Sequence, residues 1–292
     1  MLCIKKIMIR EGNFKLRKTF LWSYIFWIVI FIFVPIVLVC YYGFTQEKNN
    51  LFFFSLDNFS RVFKLIYIKV FFRSIVLALI CTVICFLIGY PVAYILAEKN
   101  FKFSSQLLFL FLVPMWMNML LRTYAWFVIL ENNGLINFVL SFMGLKKISF
   151  LYNNQAIVLG MVYNFLPFMI LPIYNSLKKI DLNIIEAAQD LGANAFKIFI
   201  KIILPLSLSG IFSGVTMVFM PAVTSFIISN LLGGGKFMLI GNLIEQEFLR
   251  TGDWHFGCAL SIILIIIIFC FDFIFRLGNK KNNNDNYGGS LF

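Results

Sequence analysis

Six stretches of this sequence each run for about twenty residues with scarcely a charge, close to the length a helix needs to cross a bilayer core about 30 Å thick: Leu21–Tyr42, Ile75–Ala97, Leu107–Leu130, Gln155–Tyr174, Ile202–Ile228 and Gly257–Phe275. Inside hydrocarbon every backbone N–H and C=O must find its partner within the segment, which for continuous apolar runs means a helix. The expected fold is an all-α membrane protein with six transmembrane helices. Composition points the same way, since 61% of the 292 residues are hydrophobic and 13% charged, too little polar surface to cover a soluble core.

The formal charge of +12 comes from 25 Lys and Arg against 13 Asp and Glu. These basic residues flank apolar runs instead of gathering on a folded soluble face, so they read as topology signals and not as a nucleic-acid footprint. A basic arm over residues 1–20 carries Lys5, Lys6, Arg10, Lys15, Arg17 and Lys18. With an even number of crossings, its side also holds Lys99, Lys102, Lys178, Lys179, Lys197, Lys201, Arg276, Lys280 and Lys281, outnumbering the opposite side. Both termini are therefore expected in the cytoplasm. The first run is too long and aromatic for a cleaved signal peptide, and it is read as a retained span. The expected organisation is an arm (1–20), one membrane domain (21–278) and a polar, asparagine-rich tail (279–292), expected to be disordered.

Several function classes lose support on composition. Five of the six cysteines lie in or beside apolar runs without CxxC spacing, and His255 is the lone histidine, so no metal site and no cofactor is expected on this chain. A membrane enzyme would need a polar catalytic cluster, and a secondary transporter would need intramembrane carboxylates, of which only Asp272 qualifies. Gly233-Gly234-Gly235-Lys236 lacks the spacing of a nucleotide-binding loop. All seven prolines fall in or at the edge of the spans, which suggests kinked helices packed as a bundle. Leu239, Ile240, Leu243, Ile244 and Phe248 give a further short helix after the glycine run.

The most informative segment is the loop at 178–201, on the side expected to be cytoplasmic. Asn183 followed by Glu186 resembles a capping box, predicting a helix that starts there. Ile184, Ile185, Ala188 and Leu191 recur at helical spacing, an apolar face with no lipid to meet, which calls for a protein partner. The extended pattern is Glu186-Ala187-Ala188, three residues, Gly192, nine residues, Ile202, one residue, Leu204-Pro205. Small alanines permit close approach, Gly192 makes a tight turn that a Cβ would obstruct, and Pro205 can open the next helix.

That pattern resembles the EAA loop of importer permeases in the ATP-binding-cassette superfamily. Gly89-Tyr90-Pro91-Val92-Ala93, Val113-Pro114-Met115-Trp116, Arg122-Thr123-Tyr124, Leu166-Pro167-Phe168-Met169, Leu232-Gly233-Gly234-Gly235 and Asp253-Trp254-His255-Phe256-Gly257 resemble the spermidine/putrescine group of such permeases. The resemblance implies the type I importer permease fold in the bacterial cytoplasmic membrane. It also implies that Glu186, Ala187, Ala188 and Gly192 dock onto a cytoplasmic ATPase dimer, which alone binds ATP-Mg and hydrolyses it. A second homologous permease subunit and an extracytoplasmic polyamine-binding protein would complete the machine. Another solute, such as a metal ion, an oxyanion or a vitamin, remains an alternative within the same class.

A cationic solute needs acceptors or aromatic faces along its route. The candidates are Trp126, Tyr163, Asn164 and Phe165, with Glu131, Glu245 and Glu247 near the outer mouth. Arg122, a charge inside the third apolar run, has two readings: a functional group on the path, or a side chain that snorkels to an interface.

Overall fold

The computed structural model describes residues 21–48, 51–98 and 103–288. The basic arm, Lys99, Lys102 and the last four residues of the tail lie outside the described residues. In chain order the elements are α1 (Leu21–Gly43), strands β1 (Thr45–Lys48) and β2 (Leu51–Phe54), α2 (Asp57–Val62), α3 (Leu65–Ala97), α4 (Ser104–Trp116), α5 (Met119–Leu130), α6 (Leu135–Phe142) and α7 (Asn154–Leu177). They continue with α8 (Leu182–Asp190), α9 (Ala195–Thr224), α10 (Ile227–Gly233), α11 (Ile240–Gln246) and α12 (Trp254–Gly288). Six of these segments are long and apolar enough to cross a membrane: α1, α3, Met119–Phe142, α7, α9 and Trp254–Phe275 of α12.

The third run departs from expectation, because it is two helices. Pro114 lies near the end of α4, Met117 is extended, and the Asn118 side chain accepts the N–H of Leu120 at 2.8 Å to start α5 afresh. The element long enough to cross is Met119–Phe142, which turns at Glu131–Gly134 between α5 and α6. Gly134 is required in that turn, since a Cβ there would sit 2.6 Å from the Ile129 carbonyl oxygen.

Other ends move as well. α3 begins at Leu65, running through Lys69 and Arg73, whose long exposed side chains can extend toward the membrane interface from its first turns. The fifth run ends at Thr224, where Ser225 turns extended and α10 starts separately. α12 continues through Gly288, so residues 279–288 are helical where disorder was expected; no proline interrupts them, and adding residues to an existing helix avoids the nucleation cost.

Pro205 does not open its helix, since α9 starts ten residues earlier at Ala195. Instead a π-helical turn, Phe199–Ile203, immediately precedes it, with the Leu204 N–H on the Phe199 carbonyl. α1 repeats the arrangement, with a π turn at Val29–Phe33 ahead of Pro35. A proline ring crowds the carbonyl four residues back, and the wider π register relieves that crowding without ending the helix.

The chain divides into two compact units. One gathers the segment up to Phe63 with Glu247–Ile263. Within it the buried Asn58 amide donates to the Thr45 carbonyl at 3.0 Å, and Arg61 bonds Asp253 at 2.8 Å while lying 4.1 Å over the Phe256 ring. Asp253 also caps α12 through the Phe256 N–H, and His255 Nδ1 lies 3.0 Å from the Tyr42 carbonyl oxygen. The Asp253-Trp254-His255-Phe256-Gly257 run is thus a structural joint.

The other unit is built on α3, α7 and α9. Their close approach depends on glycine: a Cβ on Gly210 would lie 2.7 Å from the Pro172 carbonyl oxygen, and one on Gly214 3.2 Å from that of Met169. Gly210 and Gly214 are one turn apart on the same face of α9, the small-xxx-small spacing by which helices pack in lipid. Gly89 brings α3 against Met169, and Gly160 lets α10 pack Leu232 and Ile228 onto α7.

Candidate functional site

The loop between α7 and α9 is an ordered device. Asp181, not Asn183, caps α8: its carboxylate accepts the Asn183 N–H at 3.1 Å and the Asn183 side-chain amide at 3.3 Å. The expected Asn183–Glu186 box is therefore corrected, because an aspartate two residues upstream takes the same donor first. Glu186 is exposed.

The other end of α8 closes in a Schellman motif, with Gly192 N–H on the Gln189 carbonyl at 2.8 Å and Ala193 N–H on that of Ala188 at 3.0 Å. Gly192 has φ +80° and open space where a Cβ would stand. Its glycine requirement comes from the left-handed backbone and not from crowding, which corrects the reason given by the sequence. Two residues on, Asn194 accepts the Lys197 N–H at 2.9 Å and starts α9. Caps thus define both ends of α8 and the start of α9.

The apolar face of α8 divides. Leu182 and Ile185 turn inward to a cleft of about 520 Å³ with Tyr94, Leu177 and Ile203. Ile184 is 46% exposed and Leu191 89%, and Phe196 at the start of α9 is 71% exposed. Ala187 is exposed beside them, and Ala188 is half-buried. Leu191 and Phe196 bracket the turn at Gly192 as a projecting pair, of which periodicity singles out Leu191 and misses Phe196.

Ile202, Leu204 and Pro205 are half-buried at the root of α9 and do not join that surface. The same stretch of α9 carries a joint with α3, where Phe199 packs edge-on against Tyr90 and Tyr94 at 5.8 Å each and the Tyr90 hydroxyl lies 3.1 Å from Ser207 Oγ.

The candidates for a polar path do not form one cluster. Trp126 and Tyr163 meet edge to face at 5.3 Å and line a groove of about 830 Å³ between α3 and α7. Asn164 and Phe165 are buried. Asn164 donates to the Gly160 carbonyl at 2.8 Å and to Thr123 Oγ1 at 3.4 Å, while its own Oδ1 finds no partner.

Arg122, on α5, is 8% exposed, and its Nε and Nη1 have no hydrogen-bond partner. The snorkelling reading is set aside, because these nitrogens are enclosed. Each buried unsatisfied donor costs about 1–3 kcal/mol, so the guanidinium is held there by the packing around it.

The acidic residues fall apart too. Glu131 is exposed at the end of α5. Glu245 accepts from Asn230 Nδ2 at 3.0 Å, in a network that continues to Asn242. Glu247 is buried and takes the Thr251 hydroxyl at 2.7 Å. Glu245 and Glu247 belong to different compact units. The glycine run is structural: Gly234 and Gly235 have φ +60° and +72°, and Gly234 leaves room for the Tyr152 ring.

The profile of the family described as "Binding-protein-dependent transport system inner membrane component" matches residues 89–283. The spermidine/putrescine transport system permease protein PotB of Escherichia coli (strain K12) is 39% identical over 264 residues, which cover 87% of this chain and 96% of that protein. PotB of Haemophilus influenzae is 38% identical over 262 residues, 88% of this chain and 92% of that one. Among solved structures, a chain of a bacterial ABC transporter that imports the acidic polysaccharide alginate superposes with a TM-score of 0.79 at 17% identity, covering 92% of this chain and 96% of its own. A chain of the MetNI methionine ABC transporter gives 0.56 at 17%, over 74% of this chain and 95% of its own. At such identity the two structures speak for the fold alone.

Proposed function

Because this chain belongs to the family of binding-protein-dependent transport system inner membrane components, we propose that it is the permease subunit of an importer for spermidine and putrescine, lining the translocation path together with a second permease subunit. It is a multi-pass protein of the bacterial inner membrane. The solute reading rests on the relatives: identity near two residues in five over nearly their whole length, with PotB named for spermidine and putrescine.

Energy enters through the α7–α9 loop. The observation that carries this is the exposed apolar set Ile184, Ala187, Leu191 and Phe196 on capped, ordered backbone. An exposed apolar face held rigid outside the lipid is made to be covered by protein. The partner is a cytoplasmic ATPase dimer carrying ATP-Mg, which places both termini and α8 in the cytoplasm. An extracytoplasmic polyamine-binding protein delivers the solute to the other face. Closure of the ATPase moves α8, and the Phe199 clamp passes the motion to α3 and α9.

Glu186, Ala187, Ala188 and Gly192 form the docking element, with Ile202, Leu204 and Pro205 at its root. Arg122, Trp126, Tyr163, Asn164, Phe165, Glu245 and Glu247 are proposed for the path, Trp126 and Tyr163 offering π faces to a cation. Uptake of labelled spermidine by cells lacking and then regaining this chain tests the solute. Restoration of uptake supports the reading, and equal uptake with and without the chain removes polyamine as the cargo.

A further inference from the structure

The groove between α3 and α7 differs from the glycine-lined contacts of this bundle. Where α3, α7, α9 and α10 pack on each other, glycines at 89, 160, 210 and 214 carry the approach. The groove walls contain no Gly, Ala, Ser or Thr; large aliphatic and aromatic side chains form them, with Val76, Ile80 and Ile84 on α3 facing Val158, Val162 and Leu166 on α7. Helices that meet in lipid favour small residues at the contact, and this wall offers none. Its floor is also narrow, since α3 and α7 touch beneath it, with Cys85 Sγ 3.8 Å from the Val162 carbonyl. A flexible acyl chain can follow such a furrow between large side chains.

The charged and amide side chains are confined to one end. Arg73, Asn154 and Gln155 line the groove there, no acidic residue lines it anywhere, and among the described residues no carboxylate pairs with Arg73, whose guanidinium lies 5.5 Å from the Phe237 ring. From Phe72 to Ile84 the α3 wall runs about 18 Å, a little more than one leaflet's share of a hydrocarbon core of about 30 Å. If that core is centred on the 33 residues of α3, it spans about 20 residues, which sets Arg73 close to one boundary and Ile84 just past the middle.

We infer that this furrow is a binding site for an anionic phospholipid of the surrounding bilayer, its phosphate paired with Arg73 and one acyl chain laid between α3 and α7. Arg73 supplies a planar fork of donors matched to phosphate oxygens, and the side-chain amides of Asn154 and Gln155 can take the remaining headgroup acceptors. Trp126 and Tyr163 line the same groove, so a lipid held here braces α3 against α7 and assigns that pair to the lipid-facing wall instead of the solute path.

The test uses the assembled importer in nanodiscs of phosphatidylethanolamine with a minor fraction of phosphatidylglycerol, followed by native mass spectrometry of the released complex. The expected result is retained phosphatidylglycerol enriched over its nanodisc fraction, cut at least fivefold by Arg73→Gln, and cut as strongly by Val158→Trp, which fills the furrow and leaves Arg73 in place. A photoreactive amino acid at position 158 is a separate check, and its adduct should have the mass of a lipid. Retention of both lipids in the nanodisc ratio, equal phosphatidylglycerol on the Arg73→Gln complex, or a polypeptide adduct at position 158 would overturn the inference.

Discussion

The amide of Gly192 donates to the carbonyl of Gln189 at 2.8 Å, and it does so with φ at +80°. That bond ends α8 and sets the direction in which Leu191 and Phe196 project. A β-branched residue in left-handed backbone is strained by about 1–2 kcal/mol, whereas asparagine tolerates it. Gly192→Val should abolish coupled uptake while the chain still inserts, and Gly192→Asn should retain most of it. Equal loss in both variants would put the defect in side-chain bulk and not in backbone conformation.

Leu191 is nearly free of intramolecular contact, being 89% exposed. Leu191→Ala should change the stability of the isolated chain by no more than about 0.5 kcal/mol, as for other surface substitutions. Yield of the ATPase on co-purification should fall at least tenfold. An unchanged yield would remove Leu191 from the docking surface.

Gly210 faces the Pro172 carbonyl oxygen across the α7–α9 contact. Gly210→Leu forces the helices apart, at a cost of about 1–3 kcal/mol for an overpacked site. The expected readout is a lower melting temperature of the purified permease, with Gly210→Ala intermediate.

Arg122 is a buried cation with two unpartnered nitrogens. Replacing such a group by an apolar one of similar volume is neutral or stabilising. Arg122→Met should therefore leave the melting temperature unchanged or raised, while uptake falls if Arg122 serves the path as proposed. Full uptake in the stabilised variant would assign Arg122 to packing alone.

Asp253 has two tasks, an ion pair with Arg61 and the cap on the Phe256 N–H. The pair is half-exposed and contributes less than about 1 kcal/mol. The cap contributes about 1 kcal/mol, and asparagine serves in it as well as aspartate. Asp253→Asn should thus be mild and Asp253→Ala clearly worse in thermal unfolding.

The six spans were legible because twenty uncharged residues in a row have few other fates, and the loop was legible because its pattern has fixed spacing. What stayed hidden were breaks inside apolar sequence. The restart at Asn118 lies among Trp116, Met117 and Met119, where hydropathy carries no signal and only the bond from Leu120 reveals the cap. The division of the α8 face was hidden too, because Ile184 and Ile185 look alike until the cleft that receives Ile185 is formed by Tyr94 and Ile203, distant in sequence. The residues proposed for the path were read as one group from their chemistry, and α7 separates them by turning Tyr163 to the groove and Asn164 into the bundle.

Docking of α8 is tested most directly by a cysteine cross-link. With the native cysteines replaced and Ala187→Cys introduced, a short thiol-reactive cross-linker applied to inside-out vesicles should join this chain to the ATPase subunit, in a yield that changes when ATP is added. Labelling of the same cysteine in intact cells by a membrane-impermeant maleimide, with no cross-linked product in the vesicles, would contradict the account.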